Sequence, residues 1–520
     1  MFALHAAPRL RLPLMLLLPL GLILFLLLQW GVGLVSFEAV AIPVMYFLMF
    51  AAALVLGATW AQSGKGARDL CLMLALAHLL AALLSVVMQG VQISGIDASP
   101  WIMYMARASQ MRPYANVAQP NQLALLLCLG LASVWYLFQT FRLGRWEACL
   151  LSLTLLWGMA LTQSRIGWII MPLFVMYCFI QRHGARIIDK RCLLLLLALY
   201  AAMVMGLPAF SQLMGFSSGS VADHLGGRSE RSVLLKQAFS MAHQHPWFGV
   251  GWFGFGAEQV GIAADFSSTT YAEHAHNLLL NFAAELGWPA TVVFIGSLVW
   301  WFWQTCGYRS ERKDISVGFA ALCLIAVAVH SMVEFPLWYA YVLMPVGLLM
   351  GMLHQLRWSG AGRDVPRAAI LATSLAVALI LVLLTADYQR VVNGFNILRT
   401  GKTYTETDTQ ALTRPQFTLF GEYFCYFDVM RMTPHEGMSA AEIDAVEQMS
   451  RRFGFVHILN KLAEVYVLNG QAKKAERMML TLQRLHPYSY PEYFDYWKSQ
   501  AEADQRYAAV FVSMPKRDAE

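Results

Sequence analysis

LPLMLLLPLGLILFLLLQWGV, Leu12 to Val32, is apolar almost throughout. A helix that crosses about 30 Å of hydrocarbon at about 1.5 Å per residue needs roughly 20 such residues. This run supplies them. Arg9 and Arg11 precede it, but no small-residue cleavage site closes it, so it reads as an uncleaved first span and not as a removable leader.

Similar runs recur near 39–60, 69–92, 119–140, 147–162, 166–181, 192–209, 286–306, 315–333, 337–355 and 368–387, about eleven spans in all at roughly 20 residues each. The fifth and sixth are short enough to be tilted, kinked or partly re-entrant. The whole 520-residue chain is 58% hydrophobic and 13% charged, against about 25% charged residues in a soluble domain. It is expected to be an integral membrane protein.

Lys and Arg gather in short cytoplasmic loops, which gives an independent reading of orientation. With the N-terminus inside, the inner segments hold Arg9 and Arg11; Lys65 and Arg68; Arg142 and Arg145; Arg182, Arg186, Lys190 and Arg191; Arg309, Arg312 and Lys313; and Arg357, Arg363 and Arg367. The outer connections are poorer, with Arg107 and Arg112 after the third span and a lone Arg165 between the fifth and sixth. The sixteen inner residues account for the net charge of +6 without a nucleic-acid partner. Seven of the eight cysteines lie in or beside apolar runs, and neither a disulfide framework nor a C-x-x-C metal motif is present.

Two regions interrupt the spans. One runs from about Pro208 to Leu286; the other is the final stretch after the last span, of soluble composition. Both fall on the outer face when the number of spans is odd. The expected division is 1–207, an N-terminal transmembrane bundle; 208–286, an outer loop; 287–387, C-terminal transmembrane helices; and 388–520, an outer helical domain. In the last, LNKLAEVYVLNGQAKKAERMMLTLQRLHP, Leu459 to Pro487, resembles one tetratricopeptide repeat through Ala463, Tyr466, Gly470, Ala475, Met479, Leu482 and Pro487. A single repeat cannot bury its own face, so it must pack on neighbouring helices or on the membrane domain. It is either a helical cap or a protein-docking surface.

No P-loop, G-x-G-x-x-G at a strand-helix junction, H-E-x-x-H or G-x-S-x-G occurs, which argues against an ATP-driven pump, a zinc protease and a serine hydrolase. Other residues carry the chemical possibilities. Arg165 in LTQSRIGW can snorkel to lipid phosphates, or face inward and present its planar fork to a pyrophosphate. In HLGGRSERSVLLKQAFSMAHQHPWFGVGWFGFG, His224 to Gly256, an amphipathic helix carrying Arg228, Arg231 and Lys236 is expected to end near His245-Pro246. Gly249, Gly251, Gly254 and Gly256 then mark an irregular loop, with Trp247 and Trp252 at the membrane interface. In YAEHAHNLLLNFAAELGWPA, Tyr271 to Ala290, a helix starting near His274 would continue into the span after Gly287, with Asn277 and Asn281 on one face. An imidazole with an ordinary pKa of about 6.5 can take a proton from a hydroxyl or serve as a structural hydrogen-bonding group; either histidine could do so. In HSMVEFPLWYA, His330 and Glu334 stand at i, i+4, as a pair locking a helix end or as the wall of an outer cavity.

Together, QPNQLA at Gln119 to Ala124, QSRIGW, an Arg fifteen residues before the Pro of HPWFGVGWF, and HNLLLNFAAELG resemble the bacterial superfamily of O-antigen ligases, O-antigen polymerases and O-linked protein oligosaccharyltransferases. The spacing to HPWFGVGWF selects Arg231 over Arg228. The family's usual Trp four residues later is Leu235 here. HSMVEFPLWYA and the long C-terminal region are similar to the protein oligosaccharyltransferase branch, of the pilin-glycosylating type.

The resemblance implies an all-α polytopic fold of about 11 transmembrane helices in the bacterial inner membrane, with a periplasmic loop of amphipathic helices and a tetratricopeptide-like periplasmic domain. It implies a metal-independent glycosyltransferase without cofactor, moving a glycan from a polyprenyl pyrophosphate such as undecaprenyl pyrophosphate to a Ser or Thr hydroxyl of an exported protein such as pilin. Arg165 and Arg231 would hold the pyrophosphate, His276 would orient or deprotonate the hydroxyl, and Gln119, Asn121, Asn277, His330 and Glu334 would line the site. Membrane lipids are expected partners and nucleic acid is not. The competing readings are a ligase or polymerase with a saccharide acceptor, and a transporter or membrane scaffold.

Overall fold

The computed structural model describes residues 10–106, 111–180, 186, 188–218, 230–307, 314–360, 362–400 and 404–517. Arg9, Arg107, Arg182, Arg228, Arg309, Arg312 and Lys313, and with them part of the expected basic loops, lie outside these residues. The chain is helical nearly throughout. The first half holds α1 (Leu17–Gly31), α2 (Phe37–Trp60), α3 (Gly64–Ser94), α4 (Pro120–Gln139), α5 (Arg145–Leu161), α6 (Arg165–Ile180) and α7 (Lys190–Leu213). Then come α8 (Glu230–Gln244), α9 (Phe255–Ile262), α10 (Leu278–Leu286), α11 (Trp288–Cys306), α12 (Ile315–Ser331), α13 (Ala340–Arg357) and α14 (Arg367–Arg399). Seven further helices follow: α15 (Glu406–Leu412), α16 (Gly421–Arg431), α17 (Ala440–Arg452), α18 (Val456–Leu468), α19 (Ala472–Leu485), α20 (Tyr490–Ala503) and α21 (Gln505–Phe511).

Each expected apolar run is helical over most of its described length, and six helical stretches among the described residues are long and apolar enough to cross a membrane: Leu14–Gly31, α2, α3, α4, α7 and Leu375–Arg399. Arg165–Phe179 and α12 are shorter apolar helices. The chain is all-helical as expected, apart from one short ladder. Leu10–Pro13 and Gly362–Val365 form an antiparallel two-stranded ladder, β1 and β2, with Leu10 opposite Val365 and Arg11 opposite Asp364. Arg11 Nη1 meets Asp364 at 3.1 Å across it.

The chain divides into two compact units: 1–20, 48–228 and 296–367, and 21–47, 229–295 and 368–520. In the first, α3 packs on α4 and α4 on α5 and α12. Helix ends follow local chemistry. The Ser63 side chain accepts from Gly66 N–H at the start of α3, Pro120 opens α4 where its missing N–H costs nothing, and Asp314 caps α12. Small residues bring helices into contact where lipid offers no competing hydrophobic force. A Cβ on Gly57 would lie 2.0 Å from the Leu348 carbonyl and one on Gly351 2.0 Å from that of Leu54, so α2 and α13 touch through their backbones.

The second unit contains a soluble-type core with Phe424, Phe427, Leu459, Leu462, Met479, Leu482 and Trp497. The region read as a repeat is a helical hairpin, α18 and α19, turning at Gly470 with φ +74° and burying Ala463, Ala475, Met479 and Leu482. Beneath it the Lys461 ammonium donates to the carbonyls of Val429, Met430 and Met432 at 2.8–2.9 Å, closing the C-terminus of α16. The Trp497 indole N–H donates to Asn460 Oδ1 at 2.7 Å.

Candidate functional site

The first unit gathers a polar cluster where α4, α6 and α12 begin or end. Asn121, in the first turn of α4, is its centre. Its Nδ2 donates to Glu334 Oε1 at 2.7 Å, while its Oδ1 accepts from Arg112 Nη2 at 3.1 Å and from the Ser164 hydroxyl at 2.9 Å. Arg112 Nε also donates to the Thr162 carbonyl at 3.0 Å, past the end of α5. The loop holding Arg112 is pinned by two amides of α3. Gln89 Nε2 donates to the carbonyls of Pro113 and Gly158, both at 3.1 Å, and Gln92 bonds both main-chain groups of Ala115.

Of the expected residues, Gln119 is the residue just before α4, His330 is buried in the last turn of α12, and Glu334 donates its N–H to the His330 carbonyl at 2.9 Å. Arg165 follows Ser164 and opens α6 with its side chain exposed. Asn121 and Glu334 are thus joined directly, and Arg165 adjoins their network through the chain. No sequence motif marks Arg112, Ser164, Gln89 or Gln92 as a site residue; an amide within an apolar helix is the available signal for the two glutamines.

The second unit holds Arg231, His276 and Asn277. Arg231 lies in the first turn of α8, which packs on α10, and Leu234 shares a buried core with Ala275, the residue before His276. The helix expected from His274 begins later. Asn277 is the N-cap, its side chain accepting from Leu280 N–H at 3.0 Å and its carbonyl from Asn281 N–H at 2.8 Å. His276 stands in the preceding loop at φ +53°, in the left-handed region that non-glycine residues rarely occupy. Gly287, at φ +80°, separates α10 from α11, so no continuous helix leads from His276 into the next span.

Asn281 explains how the loop is held. Its Oδ1 accepts from Ala275 N–H at 2.9 Å, one residue before His276. His274 is half-buried; burial, and then the neighbouring His276, push its pKa down to about 3, which keeps it neutral.

The glycine-rich segment closes on the far end of α10. Val250 N–H donates to the Ala284 carbonyl at 2.8 Å, Gly251 N–H to that of Glu285 at 3.2 Å, and Trp288 N–H to that of Pro246 at 2.9 Å. A Cβ on Gly249, at φ +67°, would fall 2.3 Å from the Glu285 carbonyl carbon, so this approach excludes a side chain. The Gln29 amide donates to the carbonyls of Phe248 and Glu285, both at 2.8 Å, and accepts from Trp252 N–H at 3.2 Å. Two expectations are corrected here. Gly256 lies inside α9, and Trp252 is buried against Phe47 and Phe282 instead of resting at an interface; Trp247 is exposed.

Beneath this junction the Glu285 side chain is fully buried. Burial raises its pKa from 4.5 to about 8, against the pull of the backbone groups of Phe253 and Phe255 and of the Asn281 side chain. It is a neutral acid at pH 7, and with Asn281 it links the glycine-rich turn to the histidine loop.

These features define a helical chain with several apolar helices long enough to cross a membrane, an amide-centred polar cluster among apolar helices, and a histidine loop fixed over a short capped helix. A family model described as O-antigen ligase matches residues 150–295, one described as virulence factor membrane-bound polymerase, C-terminal, matches 319–502, and one described as protein glycosylation ligase matches 113–138. The chain is 26% identical over 495 residues to a general O-oligosaccharyltransferase of Acinetobacter baylyi, covering 92% of this chain and 85% of that protein. It is also 26% identical over 243 residues to a ComP-specific O-oligosaccharyltransferase of the same organism, covering 46% of this chain and 43% of that one. The resemblance read from the sequence is borne out: the chain is similar to the O-antigen ligase superfamily and, within it, to the O-oligosaccharyltransferases.

Proposed function

We propose that this chain is an O-linked protein oligosaccharyltransferase that moves a glycan en bloc from a polyprenyl pyrophosphate to a Ser or Thr of an exported protein, pilin or another. The observation that carries the reading is the similarity to a general O-oligosaccharyltransferase along nearly the whole chain, through both the polar cluster and the histidine loop. The oxygen of the acceptor hydroxyl attacks the anomeric carbon, the bond from that carbon to the pyrophosphate oxygen breaks, and polyprenyl pyrophosphate leaves with the electron pair. His276 takes or orients the hydroxyl proton. Arg165 and Arg231 offset the charge that grows on the leaving group, where loss of one such donor costs about 100-fold to 1,000-fold. The activated donor contains the driving force, so the scheme assigns the electrostatic work to arginines and requires neither nucleotide nor metal.

The same reading divides the chain at 1–207, 208–286, 287–387 and 388–520, puts it in the bacterial inner membrane with its N-terminus cytoplasmic, and puts the C-terminal domain in the periplasm. Gln119, Asn121, Asn277, His330 and Glu334 are the further residues proposed to meet the substrates.

Intact-mass analysis of exported proteins from cells with and without the chain tests this reading. A glycan mass that depends on the chain supports it; identical masses refute it. The match to the O-antigen ligase model favours one second reading, transfer to a saccharide acceptor. Loss of the lipopolysaccharide ladder with glycoproteins intact would select that reading.

A further inference from the structure

The loop that carries His276 is built into the C-terminal helices. Thr269 N–H donates to the Arg484 carbonyl at 2.8 Å and Tyr271 N–H to that of Leu485 at 3.0 Å, while the Ser268 hydroxyl reaches the Arg484 carbonyl at 3.2 Å. These acceptors belong to the last turn of α19, where a helix leaves its carbonyls without internal partners. The loop therefore caps the hairpin's second helix.

The Tyr271 ring fills the slot beside this contact. It stacks on His486 with centroids 6.2 Å apart and meets Phe455 edge-on at 6.2 Å. Two glycines make room for it: a Cβ on Gly454 would lie 2.5 Å from the ring, and one on Gly256 2.7 Å from its hydroxyl. His486 Nε2, 2.6 Å from the Gly454 carbonyl, fixes the wall. Arg452 stands 3.9 Å from Glu273 on the outer side. On the other side Asn281 holds Ala275, so Tyr271 to Ala275 is secured at both ends and His276 follows in its left-handed conformation.

We propose that the C-terminal helices form the clamp that positions the histidine loop, with Tyr271 as its positioning residue. The proposal rests on the reading of His276 as the group that meets the acceptor hydroxyl. Ordering a loop costs conformational entropy, and a misplacement of about 1 Å lowers a rate by about 100-fold. A clamp that meets the ordering cost in advance acts on kcat, whereas a surface that only docks the acceptor acts on KM.

The test uses the full chain in nanodiscs with a polyprenyl-pyrophosphate glycan and an acceptor protein, comparing Gly454→Val, Tyr271→Ala and Tyr271→Phe with the unaltered protein. Hydrogen exchange of residues 266–277 reports the clamp, and exchange of α18 reports whether the hairpin is still folded. Gly454→Val and Tyr271→Ala are expected to speed exchange in 266–277, leave α18 protected and lower kcat about 100-fold at unchanged acceptor KM. Tyr271→Phe keeps the ring in its slot and is expected to retain kcat within about tenfold. Unchanged exchange in the loop, or a rise in KM at constant kcat, overturns the proposal. Absence of transfer by the unaltered protein refutes the glycosyl-transfer reading instead, and the exchange data then judge the clamp by themselves.

Discussion

Glu285→Gln isolates the buried acid beneath the glycine-rich turn. In the folded chain the carboxyl titrates near 8 instead of 4.5, a difference of about 5 kcal/mol at about 1.36 kcal/mol per pH unit. The folded-state pKa is raised, so its stabilising effect is complete below pH 4.5 and is lost as pH rises through 8. An opening of α10 that exposes Glu285 to water therefore becomes easier with increasing pH in the unaltered protein, by about 3 kcal/mol between pH 5.5 and 7.5. Glutamine does not titrate, so the variant lacks this slope. Hydrogen exchange of residues 278–287, measured for both proteins at each pH, cancels the intrinsic pH dependence of the chemistry. The expected ratio of protection, unaltered over variant, falls about tenfold per pH unit, about a hundredfold across that window, and levels off above pH 8. A ratio constant from pH 5 to 9 would refute the reasoning, since the carboxyl would then ionise as it does in water.

Asn121→Ala deprives Arg112 and Ser164 of an acceptor and Glu334 of a donor; a loss of about 1–3 kcal/mol is expected as a lowered apparent Tm, while Glu334→Gln keeps an acceptor for Asn121 and costs less. Gly249→Ala adds a Cβ against the Glu285 backbone at a left-handed φ and is expected to destabilise by at least about 1–3 kcal/mol. Gly261→Ala, in α9 with open space around its Cβ, is expected to stabilise by about 0.5–1 kcal/mol. The two glycine variants are compared by thermal unfolding of the solubilised protein, where opposite signs are the expected result.

Local chemistry made the helices legible. Leu12 to Val32 is apolar whichever face it turns, and Pro120 and Pro246 mark a helix start and stop without reference to anything distant. Asn277 was equally readable as a cap, yet the apolar run behind it drew the expected helix start back to His274. The approach of Gly249 to Glu285 could not be read locally, because it joins segments thirty-six residues apart in sequence. The cluster at Asn121 was half visible. Asn121 and Glu334 were each singled out, but their hydrogen bond spans 213 positions, and Arg112 looked like an ordinary loop residue until Asn121 and Thr162 were seen around it. Trp252 misled for the same reason: an aromatic beside glycines suits an interface, and only the packing of Phe47 and Phe282 on its ring puts it inside.

The role of His276 is tested by intact mass. Purified protein in nanodiscs is supplied with a polyprenyl-pyrophosphate glycan and an acceptor protein, and the acceptor is weighed after reaction with the unaltered chain and with His276→Ala. The expected result is one glycan mass added by the unaltered chain and a rate lower by at least about 100-fold in the variant, with the variant still inserted and folded. An acceptor modified as fast by His276→Ala as by the unaltered chain would contradict it.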